Sequence, residues 1–193
     1  DAGIRVARAT YDTIAQTKGT LSVGQVRAFG VVVDGGLRGI QAVPRKMELR
    51  RPLESRIPQS LRSYWLDNVA MDAWHLYDNT LFSAAYEASA EEAGTPTGEA
   101  MRRQRYARML CIRGRYTDAL HQLQKNASVG VDSRVSVVSE RLLISCWALL
   151  ATGDRIGARR ELDASWELLN QQPHFYDRDQ RLGLARVLTT KLA

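Results

Sequence analysis

From Gln59 to the C-terminus the chain keeps a helical hydrophobic period, cut at short intervals by Gly, Pro or a capping residue. That pattern admits few folds. It predicts helices over about 60–77, 79–93, 98–113, 117–126, 133–151, 155–170 and from Asp177 to the end. Ser60, Thr97 and Asp177 are the expected starts, and Gly94, Gly114, Gly153 and Pro173 the expected stops. Loops this short make consecutive helices pack antiparallel. The expected fold is mostly α, a series of antiparallel helix pairs.

Sustained helix pairs call for a period search. In the stretch after Ala107, Gly114 ends one helix, Tyr116 fills the angle, and Ala119 lets the second helix approach. A shift of 39 carries Ala107 to Cys146, Leu110 to Leu149, Gly114 to Gly153, Ala119 to Ala158 and Leu123 to Leu162. A second shift of 39 reaches Ala185 and Leu188, and a backward shift of 34 gives Ala73, Leu76 and Ala85. The small residues fall where paired helices cross. Over about 66–193 the pattern resembles a degenerate tetratricopeptide (TPR) array of three helix pairs and a final helix. It departs from the TPR pattern in several places. Arg155 stands where Tyr116 does, the first pair lacks the Gly, and no Pro closes the later pairs. The competing reading is a helical bundle without a groove.

The first 58 residues are less regular. Ile4, Ala7, Tyr11 and Ile14 are spaced as one helix face. The apolar run 31–33 leads into Asp34-Gly35-Gly36, a signal for a short hairpin, and an irregular helix ending at Gly30 fits as well. Pro44, Pro52 and Pro58 suggest an extended connector. The expected division is therefore an N-terminal segment, 1–58, and a repeat domain, 59–193.

Charge is banded. Residues 37–62 hold seven Lys/Arg against Glu48 and Glu54, 63–101 hold seven acids and no base, and 102–125 hold seven bases against Asp118. Bands of alternating sign point to charge answered within the molecule ahead of a nucleic-acid footprint. Arg102, Arg103, Arg105 and Arg108 wrap their helix and form no single phosphate strip. Cys111 and Cys146 each sit in an apolar helical stretch and read as buried, reduced thiols. No run of about 18 apolar residues is expected to span a membrane.

No residue set suggests catalysis, a cofactor or a metal. His75, His121 and His174 are scattered, no phosphate-binding Gly loop occurs, and the stretch 20–24 has Thr20 where a nucleophile elbow needs Gly. Asp177 in Asp177-Arg178-Asp179 reads as a helix cap. The expected function is a binding scaffold, not an enzyme. The TPR resemblance implies a concave groove lined by the first helix of each pair. Carried over residue by residue, one row holds Trp74, Arg108, Trp147 and Arg186. Its neighbours hold Ala70, Gln104, Leu143 and Leu182, and Tyr77, Cys111, Leu150 and Thr189. Trp74, Tyr77, Gln104, Arg108, Trp147 and Arg186 are the expected partner contacts, with Trp74 and Trp147 equally readable as core. Trp65, Trp166 and Tyr106 read as packing. The partner is expected to be a protein or peptide. The resemblance extends to sensor regions of large bacterial transcription activators, the first functional expectation. A secretion or assembly chaperone is the second and a nucleic-acid binder the third. The expected location is the cytoplasm, or the periplasm or beyond if Asp1 is a processed N-terminus.

Overall fold

A computed structural model describes residues 2–37, 39–125, 135–171 and 178–193, with residues 2–4 and 7 described by their backbone alone. Among the described residues ten α-helices follow one another: α1 (Ala2–Ala15), α2 (Val23–Gly36), α3 (Val43–Arg50), α4 (Gln59–His75), α5 (Asn79–Glu91), α6 (Pro96–Ile112), α7 (Tyr116–Gln124), α8 (Val135–Thr152), α9 (Arg155–Gln171) and α10 (Arg178–Leu192). Short 3-10 segments, Ile40–Ala42 and Arg51–Arg56, flank α3. No strand occurs among the described residues, and helices pack mainly with their chain neighbours. The chain divides into two compact units, Asp1–Gly94 and Thr95–Ala193. The sequence places a divide after residue 58, but Leu49, Leu53 and Ile57 share one core with Phe29 and Trp65.

In the first unit the expected hairpin is a helix. Ser22 and Gln25 form a reciprocal capping box that starts α2. Val26, Phe29, Val33 and Leu37 then lie on one face and enter the core, while Val31 is exposed. α2 runs past Gly30 to Gly36; Gly30 sits where a Cβ would lie 3.3 Å from the Tyr64 hydroxyl of α4. The expected Pro-containing connector is helical as well. Pro44 and Pro52 stand in the first turns of α3 and the Arg51–Arg56 segment, and Pro58 precedes α4. First-turn N–H groups have no helical partner, so proline loses nothing there.

The bases of this stretch hold the unit together. Arg56 donates from Nε to the Gly19 carbonyl (3.0 Å) and from Nη2 to those of Ile14 (3.2 Å) and Thr17, satisfying carbonyls at and beyond the end of α1. Arg50, 2% exposed, donates from Nε to Asp72 (3.0 Å) and from Nη2 to Asp34, and lies 5.3 Å from the Trp65 ring centre. Lys46 adds a 3.8 Å contact to Asp34. Burial pushes the Asp72 carboxyl above its ordinary pKa, and the neighbouring Arg50 and Lys46 pull it back only in part. α4 and α5 touch closely at Ser63 and Ser89, whose hydroxyls donate to each other's backbone carbonyls at 2.7 and 2.8 Å.

Three helix pairs, α4/α5, α6/α7 and α8/α9, close alike. The turn residue is left-handed in each: Tyr77 (φ 59°), Gly114 (φ 73°) and Gly153 (φ 92°). The next N–H, of Asp78, Arg115 or Asp154, reaches back to the carbonyl of Ala73 (3.0 Å), Leu110 (2.9 Å) or Leu149 (2.9 Å). Asp78 and Asp154 then cap the following helix through Leu81 and Gly157. The second step is the expected 39 residues, and Ala107, Cys146 and Ala185 are all fully buried. The first step is corrected. Tyr77 to Gly114 is 37 residues, not 34. The 34-residue shift fails at Leu76, 41% exposed where Leu110 is buried, because Leu76 lies outside the last turn of α4.

In the second unit α8 packs on α6, α7, α9 and α10. A helix with four neighbours is apolar nearly all round. α8 is accordingly long and apolar enough, by length and composition, to cross a membrane, with mean hydropathy 1.5 over 18 residues. That corrects the expectation that no such stretch exists, although Glu140 and Arg141 interrupt it. α6 begins earlier than expected, with Thr95 as cap and Pro96 in the first turn, and α4 follows Pro58 without a cap from Ser60. The expected features at 126–134, Pro173, His174 and Asp177 lie outside the described residues, as do the side chains of Ile4 and Ala7.

Two outcomes follow. Gly114→Ala and Gly153→Ala meet no atom within 4 Å, so each is destabilised through φ alone, by about 1 kcal/mol in urea unfolding. Arg50→Met leaves the buried Asp72 carboxylate without its hydrogen-bonded cation and costs about 3–5 kcal/mol at neutral pH. Because the folded Asp72 pKa is raised, the native state takes up a proton before the unfolded chain does as pH falls. The loss in Arg50→Met therefore shrinks as pH is lowered from neutral towards the ordinary carboxylate range, as a neutral carboxyl needs no cation. An unchanged loss across that range counts against this account.

Candidate functional site

The strongest candidate is a groove on the second unit, along α6, α8 and α10, where α8 packs beside both others. Its position follows from helix geometry. Ala107, Cys146 and Ala185 turn inward, and each next residue lies about 100° round the helix. Those residues are Arg108, Trp147 and Arg186, and the first two line the groove. On α8, Glu140 and Trp147 are seven residues apart and so share one face.

One end of the groove is polar, with a volume of about 570 Å³. Arg102, Gln104, Arg105 and Arg108 from α6, Glu140 from α8 and Arg181 from α10 line it. At its centre one carboxylate serves two guanidinium groups. Arg108 Nη2 reaches Glu140 Oε1 at 2.8 Å, and Arg181 Nη2 reaches Oε2 at 2.9 Å. Arg181, itself buried, also donates from Nε to the Ser136 carbonyl at 3.2 Å. Both contacts are charge-assisted hydrogen bonds, the stronger kind. Arg108 presents its exposed part, 42% of the side chain, to the groove.

The other end is an apolar trough of about 360 Å³. Trp147 and Leu150 of α8 face Leu184, Val187 and Leu188 of α10, with Lys191 at the edge. Val187 is 55% exposed. A small cleft containing Arg108, Glu140, Arg181 and Leu184 joins the two ends.

The six expected contacts are divided between the two units. Gln104 and Arg108 share the polar end, Gln104 mostly buried in its wall, and Trp147 lines the trough. Arg186 is exposed on α10 and lines neither end. Trp74 and Tyr77 belong to the other unit. Trp74 is half-buried edge-on against His75, and Tyr77 is the exposed left-handed residue that ends α4. The 37-residue step also places Met71, not Trp74, in the position of Arg108. Trp65 and Tyr106 are core, and Trp166 donates from its ring to Thr189 at 3.3 Å, as packing residues.

Glu140 and Arg181 were missed, although the register held a clue. Arg103, Leu142 and Arg181 stand 39 apart, one turn before Ala107, Cys146 and Ala185, and all three are buried. An arginine recurring at an inward position requires a partner nearby. Arg103 finds Glu99 (2.8 Å) and Gln122 (3.1 Å), and Arg181 finds Glu140.

A second cavity, of about 270 Å³, lies in the first unit between α3, α4 and α5. It exists because α5 offers Ala84, Ala85 and Ala88 to it. Its deepest charged side chain, Arg50, is committed to Asp34 and Asp72. The groove on α6, α8 and α10 offers a recognition chemistry that this cavity does not. Comparison of the chain with protein-family models, with curated proteins and with solved structures finds no match.

Cys111 lies on α6 and Cys146 on α8, both buried. Burial pushes the Cys111 thiol up to about 12 and, with Glu161 and Asp163 nearby, that of Cys146 up to about 11. Neither is expected to react with Ellman's reagent near pH 8 in the folded chain, and both are expected to react after unfolding. Fast labelling of either in the native state would place its sulfur outside the core.

Proposed function

We propose that the chain is a protein- or peptide-binding scaffold of TPR-like type, and that the second unit seats its partner along α6, α8 and α10. The support is one observation: a single groove combines an aromatic-walled apolar trough with an arginine cluster fixed by an internal carboxylate. Trp and Arg are the side chains that most often dominate binding energy at protein interfaces. The recurrence of left-handed closures and buried small residues at 39-residue spacing supports the TPR-like reading of this unit. A regulator's sensor region and an assembly chaperone would both use such a groove, and the protein seated in it separates them.

A nucleic-acid role is less well supported. Arg103, Arg108, Arg115 and Arg181 all pair with Asp or Glu in the described structure, and Glu140 sits in the middle of the cleft where a phosphate would lie.

A photocrosslinking side chain introduced at Val187 in cells is expected to yield adducts with another protein. Those adducts are expected to fall by about tenfold when Trp147→Ala is added. A probe at Ile156, 87% exposed on α9, is the comparison. If the two positions give the same adducts, or if Trp147→Ala changes nothing in a folded chain, the groove is not the partner site.

A further inference from the structure

We propose that the cavity between α3, α4 and α5 of the first unit binds a small neutral molecule with an apolar, fused-ring body and a hydrogen-bond acceptor, which Arg50 Nη1 engages. Nothing about this site depends on the partner groove of the second unit.

The acceptor requirement comes from Arg50. The residue is 2% exposed, and Asp72 holds its Nε while Asp34 holds its Nη2. Nη1 has no hydrogen-bond partner among the described residues. It is not one of the unpartnered atoms that the protein encloses, and the space that Arg50 lines is this cavity. A guanidinium N–H open to an apolar space favours an acceptor. That acceptor needs no charge, because two carboxylates already answer Arg50. A third carboxylate would crowd Asp34 and Asp72 on one guanidinium, and an ammonium would face the cation itself. A carbonyl, ether or hydroxyl oxygen meets the requirement. The apolar requirement comes from the walls. Trp65, Val69 and Leu81 line the cavity, and the small side chains of Ala84, Ala85 and Ala88 leave about 270 Å³ between them. A dry cavity of about 150 Å³ accepts benzene, so this one has room for a fused pair of rings. The buried Arg50, Trp65 and Ala85 form its floor, and the exposed Arg51, Glu54 and Ala84 its mouth. The acceptor therefore enters first, and the mouth charges keep their water.

Arg50 also holds the fold, so its role is tested from the ligand's side. 1-Tetralone, tetralin and 1-aminotetralin share one bicyclic body and carry a ketone, no polar group and an ammonium. Binding to the full chain is read from the methyl NMR signals of Val69, Leu81 and Ala85. 1-Tetralone is expected to shift them saturably and to bind about tenfold more tightly than tetralin, because a site built to hydrogen-bond rejects the analogue that cannot. Apolar burial alone gives the opposite order. 1-Aminotetralin is expected to leave the signals unmoved. Ala88→Leu, and Ala84→Leu as a second variant at an exposed position, fill the cavity. Each should weaken 1-tetralone binding by about tenfold or more and leave the urea midpoint unchanged or higher. If tetralin or the amine binds as tightly as the ketone, the role of Arg50 Nη1 falls. If no probe shifts these signals, or if both folded variants bind 1-tetralone as the parent does, the cavity is not a ligand site. Neither result touches the groove, whose own test is the crosslink at Val187.

Discussion

Each of the three helix pairs turns back within three residues by placing one of them in the left-handed region. Tyr77, Gly114 and Gly153 do so, and each is followed by an N–H that recovers a carbonyl five residues earlier. The closure fixes where the second helix starts: α5, α7 and α9 begin at Asn79, Tyr116 and Arg155, each two residues after its left-handed position. Once the start is fixed, the inward-facing residues are fixed too. Ala119 and Ala158 are both fully buried because the same closure precedes them by five residues. Tyr77 shows that geometry, not glycine, is what the turn requires. Glycine is the least strained way to supply it.

Charge does a related job where the backbone cannot. The alternating charge bands point to pairing within the molecule, and in the basic stretch before α4 Arg56 binds carbonyls around the end of α1, and Arg50 binds Asp34 of α2 and Asp72 of α4. Asp72 belongs to the acidic band and Arg50 to the basic one, as do Glu92 and Arg62, which meet at 3.6 Å. In the first unit the banding therefore reflects internal pairing. Burying this pair carries a desolvation cost, and at Asp72 burial outweighs the pull of Arg50 and Lys46.

Much of the fold was legible in the sequence from Gln59 onward because period, cap and breaker agreed there. Gly114 and Gly153 announced their own turns, and the 39-residue step carried Ala107 to Cys146 and Ala185 correctly. The step to the first pair was misread because Tyr77 hides a left-handed turn that composition does not reveal, and because Ala73 and Ala85 happen to match at 34. The helix read from Ile4 to Ile14 is present as α1, but the hairpin and connector readings within 20–58 fail for a different reason. Gly35-Gly36 and the valines at 31–33 carry strand and turn propensity, but Ser22 and Gln25 cap a helix whose apolar face finds a core. Tertiary packing outweighed local preference. Proline was misjudged by its type; its position in a first turn is what decides.

The site was less legible than the fold, because a register finds positions and not partners. Arg108 and Trp147 were reached by stepping along the repeat. Glu140, which joins Arg108 to Arg181, lies on no row the resemblance supplied and becomes visible once α6, α8 and α10 are side by side. Its place has a consequence for the whole unit. A helix as apolar as α8 would bury an isolated glutamate at a loss, yet here the carboxylate lies where α6 and α10 both approach it. Two arginines from different helices on one carboxylate tie the first helices of successive pairs together. The same bonds hold the guanidinium groups at the groove's edge. The contact that joins α6, α8 and α10 thus also shapes the polar end of the groove.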